Sequence, residues 1–241
     1  MRIIVARDPR QLGEEAAHIA SAVLRRAIEK KGTARLALAT GASQLDALSA
    51  LTKEELPWHR VEVFQVCERV GLDDNHPGSG RKALKDRFVR RLPLGKVHYL
   101  DGSEENMQRL NRLASQAPMD LVMLGMGERG QVGFNAAPAD FQAAAAYLRN
   151  EQAVTLTLRE MMRADHVIVC APYAIHAENV WQVMMHPVSE QLPATLLKHH
   201  PRADFLLDVQ SAAQVTLEML VRHNPTLETY QLLDEAAPTE E

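Results

Sequence analysis

Three short stretches hold residue types that could do chemistry. Cys67-Glu68-Arg69 sets a thiol, a carboxylate and a guanidinium side by side. Thr40-Gly41-Ala42-Ser43 is a small polar turn, and Gly125 to Asn135 (GMGERGQVGFN) places Glu128, Arg129 and Gln131 among four glycines in nine residues. A thiolate attacks an activated ester once a base has taken its proton. A small polar turn that opens a helix presents free backbone N–H groups and makes an anion site. Glycines at that density imply backbone packed closely against something. The loop is not a dinucleotide fingerprint, because no acidic residue follows a second βαβ strand in the required register. No cofactor is therefore expected. Nor is a metal, since the ten His are scattered and zinc-ligand spacing is absent. The adjacent pair His199-His200 reads as a brace of the fold.

Strands must deliver these groups. In Val61 to Leu72 (VEVFQVCERVGL) apolar residues alternate with Glu62 and Gln65, then stop at Cys67, and Gly71 breaks the run. The pattern predicts a strand ending in a short polar loop. Ala34 to Ala39 (ARLALA) is a strand that feeds Thr40 to Ser43, with a helix following through Leu51. Met119 to Leu124 (MDLVML) is a buried strand that feeds the glycine-rich loop. Further strands are expected at Arg2 to Ala6, Val97 to Leu100, Val154 to Leu158, His166 to Cys170 and Asp204 to Leu207, the last of them. Cys170, within HVIVC, reads as core packing. Helices are expected from Asp8 or Pro9 to Lys31, from about Arg81 to Arg91 with a solvated basic face, over Glu104 to Gln116, over Pro172 to Met185, as a short turn at Pro193 to Leu197, and over Ala212 to Val221. Ala-rich Ala136 to Leu148 is expected to be helical in part, and the tail from Glu235 to be a frayed terminus. Strands alternating with helices predict one α/β domain, a three-layer, Rossmann-like sandwich on a mostly parallel sheet. In such sheets ligands sit beyond the C-terminal strand ends, where the three stretches fall.

The 241 residues, 46% hydrophobic and 24% charged, are ordinary soluble material, and a net charge of −4 shows no nucleic-acid footprint. The N-terminus is too short in apolar length for a signal peptide, and no apolar run approaches the ~18 residues that span a membrane. Two cysteines fit a reducing cytosol, so the location expected is cytoplasmic. The partner expected is a small-molecule substrate or anion, with no nucleic acid and no membrane.

Taken in order, four stretches resemble the glucosamine-6-phosphate deaminase/isomerase family, which is related to the 6-phosphogluconolactonases. They are Ala37 to Ser43, Val63 to Leu72 with His76 to Ser79, Leu124 to Pro138, and Leu192 to Pro201. The resemblance implies a sugar-phosphate enzyme, yet most of the residues that carry the family's chemistry are replaced. The proton-transfer Asp falls on Cys67, and the Tyr after the retained Glu68 falls on Arg69. In the loop, the ring-opening His falls on Gln131, its Asp partner on Arg129, and a later acidic residue on Ala136. The phosphate-binding Lys of a late helix falls on His176. The segment between Pro138 and Val154, which would supply a phosphate-binding Arg, is much shorter than in most members. Thr40, Gly41 and Ser43 remain from the phosphate site.

Isomerisation needs a base at carbon and a second group to move the ring proton. A thiol with an ordinary pKa near ~8.5 replaces a carboxylate poorly, and Gln131 takes no proton. The replacements concentrate in the pocket while the scaffold stays intact, the pattern of relaxed selection on one site or of deliberate redesign. One reading is therefore a cysteine esterase with Cys67 as nucleophile, His176 as acid/base and Asn179 orienting the imidazole. Its oxyanion would be held by the N–H groups of Gly41 to Ser43, Ala42 included, or by Gln131. In the other reading Cys67 is an inert thiol and the chain a non-catalytic binder of a sugar phosphate or small anion, using Thr40 to Ser43, Glu68, Arg69 and Arg129. A remnant deaminase is the third.

Overall fold

The computed structural model describes residues 1–233. The first half of the chain runs β1 (Arg2–Ala6), α1 (Pro9–Lys31), β2 (Ala34–Leu38), α2 (Leu45–Leu51), β3 (Val61–Gln65), β4 (Cys67–Arg69), α3 (Gly80–Arg87), β5 (Lys96–His98), α4 (Glu104–Gln116). The second runs β6 (Leu121–Gly125), β7 (Tyr147–Arg149), β8 (Ala153–Leu156), α5 (Leu158–Met162), β9 (Val167–Ala171), α6 (Ala177–Met185), β10 (Ala203–Asp208), α7 (Leu217–His223), β11 (Thr229–Leu232). The main sheet has the order β11-β1-β10-β9-β6-β2-β3-β5, and its strand pairs are parallel. This is the α/β, mostly parallel architecture that the alternation of elements predicts.

Strand composition explains the layering. Ile3, Val5, Ala37, Phe64, Val122, Leu124, Val169, Phe205 and Leu207 point into one core, which α4 closes with Met107, Leu110 and Ala114. Their alternates Ile4, Leu36, Leu38, Val63, Leu121, Met123, Ile168, Cys170 and Leu206 point into the other, closed by Leu12, Ala16, Ala20, Leu24 and Ile28 of α1. With both faces covered, the central strands read as continuous apolar runs. Helix α1 takes its bounds from local chemistry. The Asp8 carboxylate accepts a hydrogen bond from Gln11 N at 2.8 Å, and Gly32 turns the chain out at φ 81°.

Several expectations are corrected. The stretch after Gln65 is not a polar loop. Val66 donates to Leu38 O (3.1 Å) in the main sheet and accepts from Leu156 N (2.7 Å). The chain thereby crosses into a second, antiparallel sheet, β4-β8-β7, where Cys67 faces Thr155 and Glu68 faces Val154. Ala136 to Leu148 forms no helix. Asp140 folds a turn onto Gln142 N (2.8 Å), while Asn111 and Thr157 take up backbone groups of Tyr147 and Ala146, so tertiary partners override alanine's propensity. The helix expected from Pro172 starts at Ala177, after a 3₁₀ turn (Ala174–His176). The basic helix stops at Arg87, with a 3₁₀ turn (Val89–Arg91) behind it. The last long helix shrinks to α7, because Thr216 caps it at Met219 N. Asp204 to Leu207 is not the last strand, since β11 adds an edge beside β1. The tail from Glu235 lies outside the described residues. Among those residues no helix is long and apolar enough to cross a membrane.

Candidate functional site

A cavity of about 770 Å³ opens where β2, β4, β6 and β9 end, with the start of α3 as a further wall. Thr40 to Ser43, Cys67 to Arg69, Gln131, Arg129 and His176 all line it, and Asn179 does not. The topology thus gathers every expected site residue but one.

The Thr40–Ser43 turn leads through a 3₁₀ turn (Ala42–Gln44) into α2. Arg87 Nη1 donates to Thr40 O at 3.1 Å and fixes the turn from the side of α3. From below, β6 approaches so closely that a Cβ on Gly125 would run into Ser43 Oγ and stand 3.0 Å from Ser43 Cβ. Glycine is needed here for space alone. Gly125→Ala is therefore expected to lower the melting temperature by several degrees, because overpacking of this kind costs ~1–3 kcal/mol. An unchanged thermal melt would mean that the turn yields freely.

Glu68 lines the cavity, but its carboxylate is committed within the protein. It is 2% exposed and both its oxygens are engaged inside the protein. Oε1 accepts from Arg69 N (2.7 Å) and Gly80 N (2.9 Å), and Oε2 from Arg81 N (2.7 Å), Ser79 Oγ (3.1 Å) and Gln65 Nε2 (3.2 Å). The Arg81 guanidinium lies 3.5 Å away. The carboxylate holds the first turn of α3, where free N–H groups and the helix dipole favour negative charge.

Cys67 packs against the core through its side chain, and burial, aided by the Glu68 charge, pushes its thiol up to about 12. No hydrogen bond joins it to His176 among the described residues, and His176 Nδ1 is buried without a partner. Burial lowers the His176 pKa, against the pull of Glu128 and Asp208. The Gln131 carboxamide folds back on its own loop and accepts from Arg129 N at 2.9 Å. The Cys–His–Asn constellation is thus not assembled as a hydrogen-bonded unit. Cys170 is fully buried, as core packing requires. His200 braces β9 and β10 as expected, its Nε2 lying 2.9 Å from Ala164 O and its Nδ1 accepting from Arg202 N at 3.1 Å. Among the described residues no cluster of three or more His, Cys, Asp or Glu is placed to hold a metal.

Three guanidinium groups and two carboxylates, Glu68 and Glu128, line the cavity, which leaves cations in excess. The guanidinium groups are those of Arg69, Arg87 and Arg129, and none of the three has an ion pair among the described residues. The Arg69 guanidinium stands 6.0 Å from the centre of the Phe134 ring. Arg87 sits within the basic helix that reads as a solvated face, and nothing in its spacing signals that it meets Thr40. Tyr173 also lines the cavity without a sequence signal.

A family model described as glucosamine-6-phosphate isomerases/6-phosphogluconolactonase matches residues 7–206. The chain belongs to this family. Among relatives, a glucosamine-6-phosphate deaminase of Arthrobacter sp. (strain FB24) is 29% identical, over 92% of this chain and 96% of its own. One from Bacillus cereus (strain G9842) is 25% identical, over 98% and 97%. Among solved structures, a monomeric glucosamine-6-phosphate deaminase superposes with a TM-score of 0.78 at 21% identity, covering 89% of this chain and all of that one. The 6-phosphogluconolactonase of Thermotoga maritima gives 0.75 at 19%, covering 86% and 100%. At these identities the structural likeness shows the fold. In this member the cavity is lined by the polar turn Thr40 to Ser43, by three guanidinium groups, and by Cys67 and Gln131.

Proposed function

We propose that this protein binds a phosphorylated sugar, or a similar small anion, without carrying out the proton transfers of a sugar-phosphate isomerase. One contrast supports the reading. Three guanidinium groups line the cavity with no ion pair among the described residues, against two carboxylates, Glu128 and Glu68, of which Glu68 is consumed by α3. Cations without partners favour an anionic ligand. Isomerisation or deamination needs a base and a proton carrier, and neither a thiol near pKa 12 nor a carboxamide serves. The same thiol weighs against the cysteine esterase, since the thiolate is the nucleophile and burial beside Glu68 disfavours it. A remnant deaminase would release ammonia from glucosamine 6-phosphate, and none is expected. The cysteines and the ligand class suit a cytoplasmic protein.

The test is thermal stabilisation. A hexose 6-phosphate at saturating concentration is expected to raise the melting temperature by several degrees, and the unphosphorylated hexose is not. No stabilisation by any anion would sink the proposal. Ester turnover blocked by iodoacetamide would favour Cys67 instead.

The proposal carries a pH signature. Free His176 is held neutral by burial, and its neighbours Glu128 and Asp208 oppose that only in part. A bound anion raises its pKa, so binding takes up a proton. Affinity is therefore expected to strengthen as pH falls through the bound-state pKa and to level off below the free-state one. A sugar sulfate shows this cleanly, because a phosphomonoester itself titrates near ~6. His176→Ala should flatten the profile. A profile unaltered by that change would remove His176 from the site.

A further inference from the structure

Tyr173 stands out as a non-glycine residue with positive φ, at φ 74° and ψ 149°. This region is essentially restricted to glycine, and a bulky residue stays there only when its surroundings over-determine it. They do so from two sides. The Tyr173 N–H donates to Asp208 Oδ2 at 2.8 Å, and Asp208 is itself fully buried and fixed by Ser211 N on its other oxygen (2.7 Å). The phenol donates to Asp46 Oδ2 at 3.2 Å, in the first turn of α2. The half-buried side chain therefore runs along the cavity wall and ties the turn after β9 to the helix that follows Thr40–Ser43. Its carbonyl accepts from His176 N at 3.0 Å, so the same residue sets the 3₁₀ turn that carries His176.

We infer that Tyr173 is a specificity-determining residue. Its ring closes the outer end of the anion subsite, so that the site accepts a terminal phosphomonoester and rejects a phosphodiester or diphosphate, whose chain must continue past the phosphorus. The inference rests on the anion-binding reading above and adds what kind of phosphate fits. Function in this view keeps a strained conformation that stability alone would discard. Glycine would relax the backbone and open the subsite together. Alanine would open the subsite and keep the strain.

The experiment compares wild type, Tyr173→Gly, Tyr173→Ala and Tyr173→Phe by thermal melts and calorimetric titration. The ligands are a hexose 6-phosphate, its methyl phosphodiester and a nucleoside diphosphate hexose. Wild type is expected to prefer the monoester at least tenfold, and Tyr173→Gly and Tyr173→Ala to lose that preference. Tyr173→Phe keeps the ring and should retain most of it. Tyr173→Gly should melt no lower than wild type, and Tyr173→Ala about 2–6 °C below Tyr173→Gly. An unchanged preference in Tyr173→Gly overturns the inference and leaves the anion-binding reading standing. If wild type binds none of the three ligands, both fall.

Discussion

Glu68→Ala is expected to cost this protein a third or more of its stability. The carboxylate accepts five hydrogen bonds and faces the Arg81 guanidinium at 3.5 Å, at 2% exposure. Its removal strands the N–H groups of Gly80 and Arg81 at the start of α3, and each buried donor left unpaired costs ~1–3 kcal/mol. Breaking a buried ion pair from one side costs ~3–5 kcal/mol, against a total of ~5–15 kcal/mol for a domain. A fall in melting temperature of roughly 10 °C follows for a chain of this size. Glu68→Gln keeps the shape but turns an amide NH₂ toward groups that are already donors, so it too should destabilise, by less. Chemical denaturation of both variants checks this. A wild-type midpoint in Glu68→Ala would show that α3 is capped without it.

Arg87→Ala is expected to weaken sugar-phosphate binding ~10–100-fold and to lower the melting temperature of the free protein by a few degrees, since the hydrogen bond to Thr40 O goes with the charge. A hydrogen bond to a charged group is worth ~1.5–3 kcal/mol, and every 1.4 kcal/mol is a factor of ten. Arg87 has two duties here: its Nη1 holds Thr40 O, and its charge faces the cavity. Arg87→Lys keeps the charge without the planar fork, so it should recover part of the affinity. Titration calorimetry with a hexose 6-phosphate measures both. Equal affinities in wild type and Arg87→Ala would exclude this side chain from the anion subsite.

What could be read from the residues follows physical lines. Helix α1 and strands β2, β6 and β9 were legible because their apolar spacing is regular and their ends carry Asp8, Gly32 or glycine clusters. The Thr40–Ser43 turn was legible because a strand, a small polar turn and a helix follow in sequence. The switch of the chain at Val66 was not. A strand that changes sheets keeps the same alternation, and its new partner β8 lies some 86 residues further on. The partners of Glu68 were hidden for a related reason. A carboxylate at a strand tip reads as a ligand group, and only the fold brings Gly80 and Arg81 under it. Ser79, the N-cap of α3, was the sign that a helix start needed a partner there. The pairing of Cys67 with His176 rested on the resemblance, which puts both beside one pocket; both do line the cavity, but no hydrogen bond joins them among the described residues. Tyr173 left no trace, because backbone conformation at a single residue has no composition.

The position of β1 has a consequence for how the chain comes to be folded. Its ladder partners are β10 and β11, about 200 residues downstream. At synthesis rates of ~5–20 residues per second, Ile3, Ile4 and Val5 wait on the order of 10–40 s for the strands that will cover them. This strand is thus sheltered only long after it is made. Until β10 leaves the ribosome, β1 has no ladder partner and β9 stands as an open, apolar sheet edge, the kind of surface that chaperones retain and that aggregates when they do not. Any fragment that ends before Ala203 should keep that edge for good.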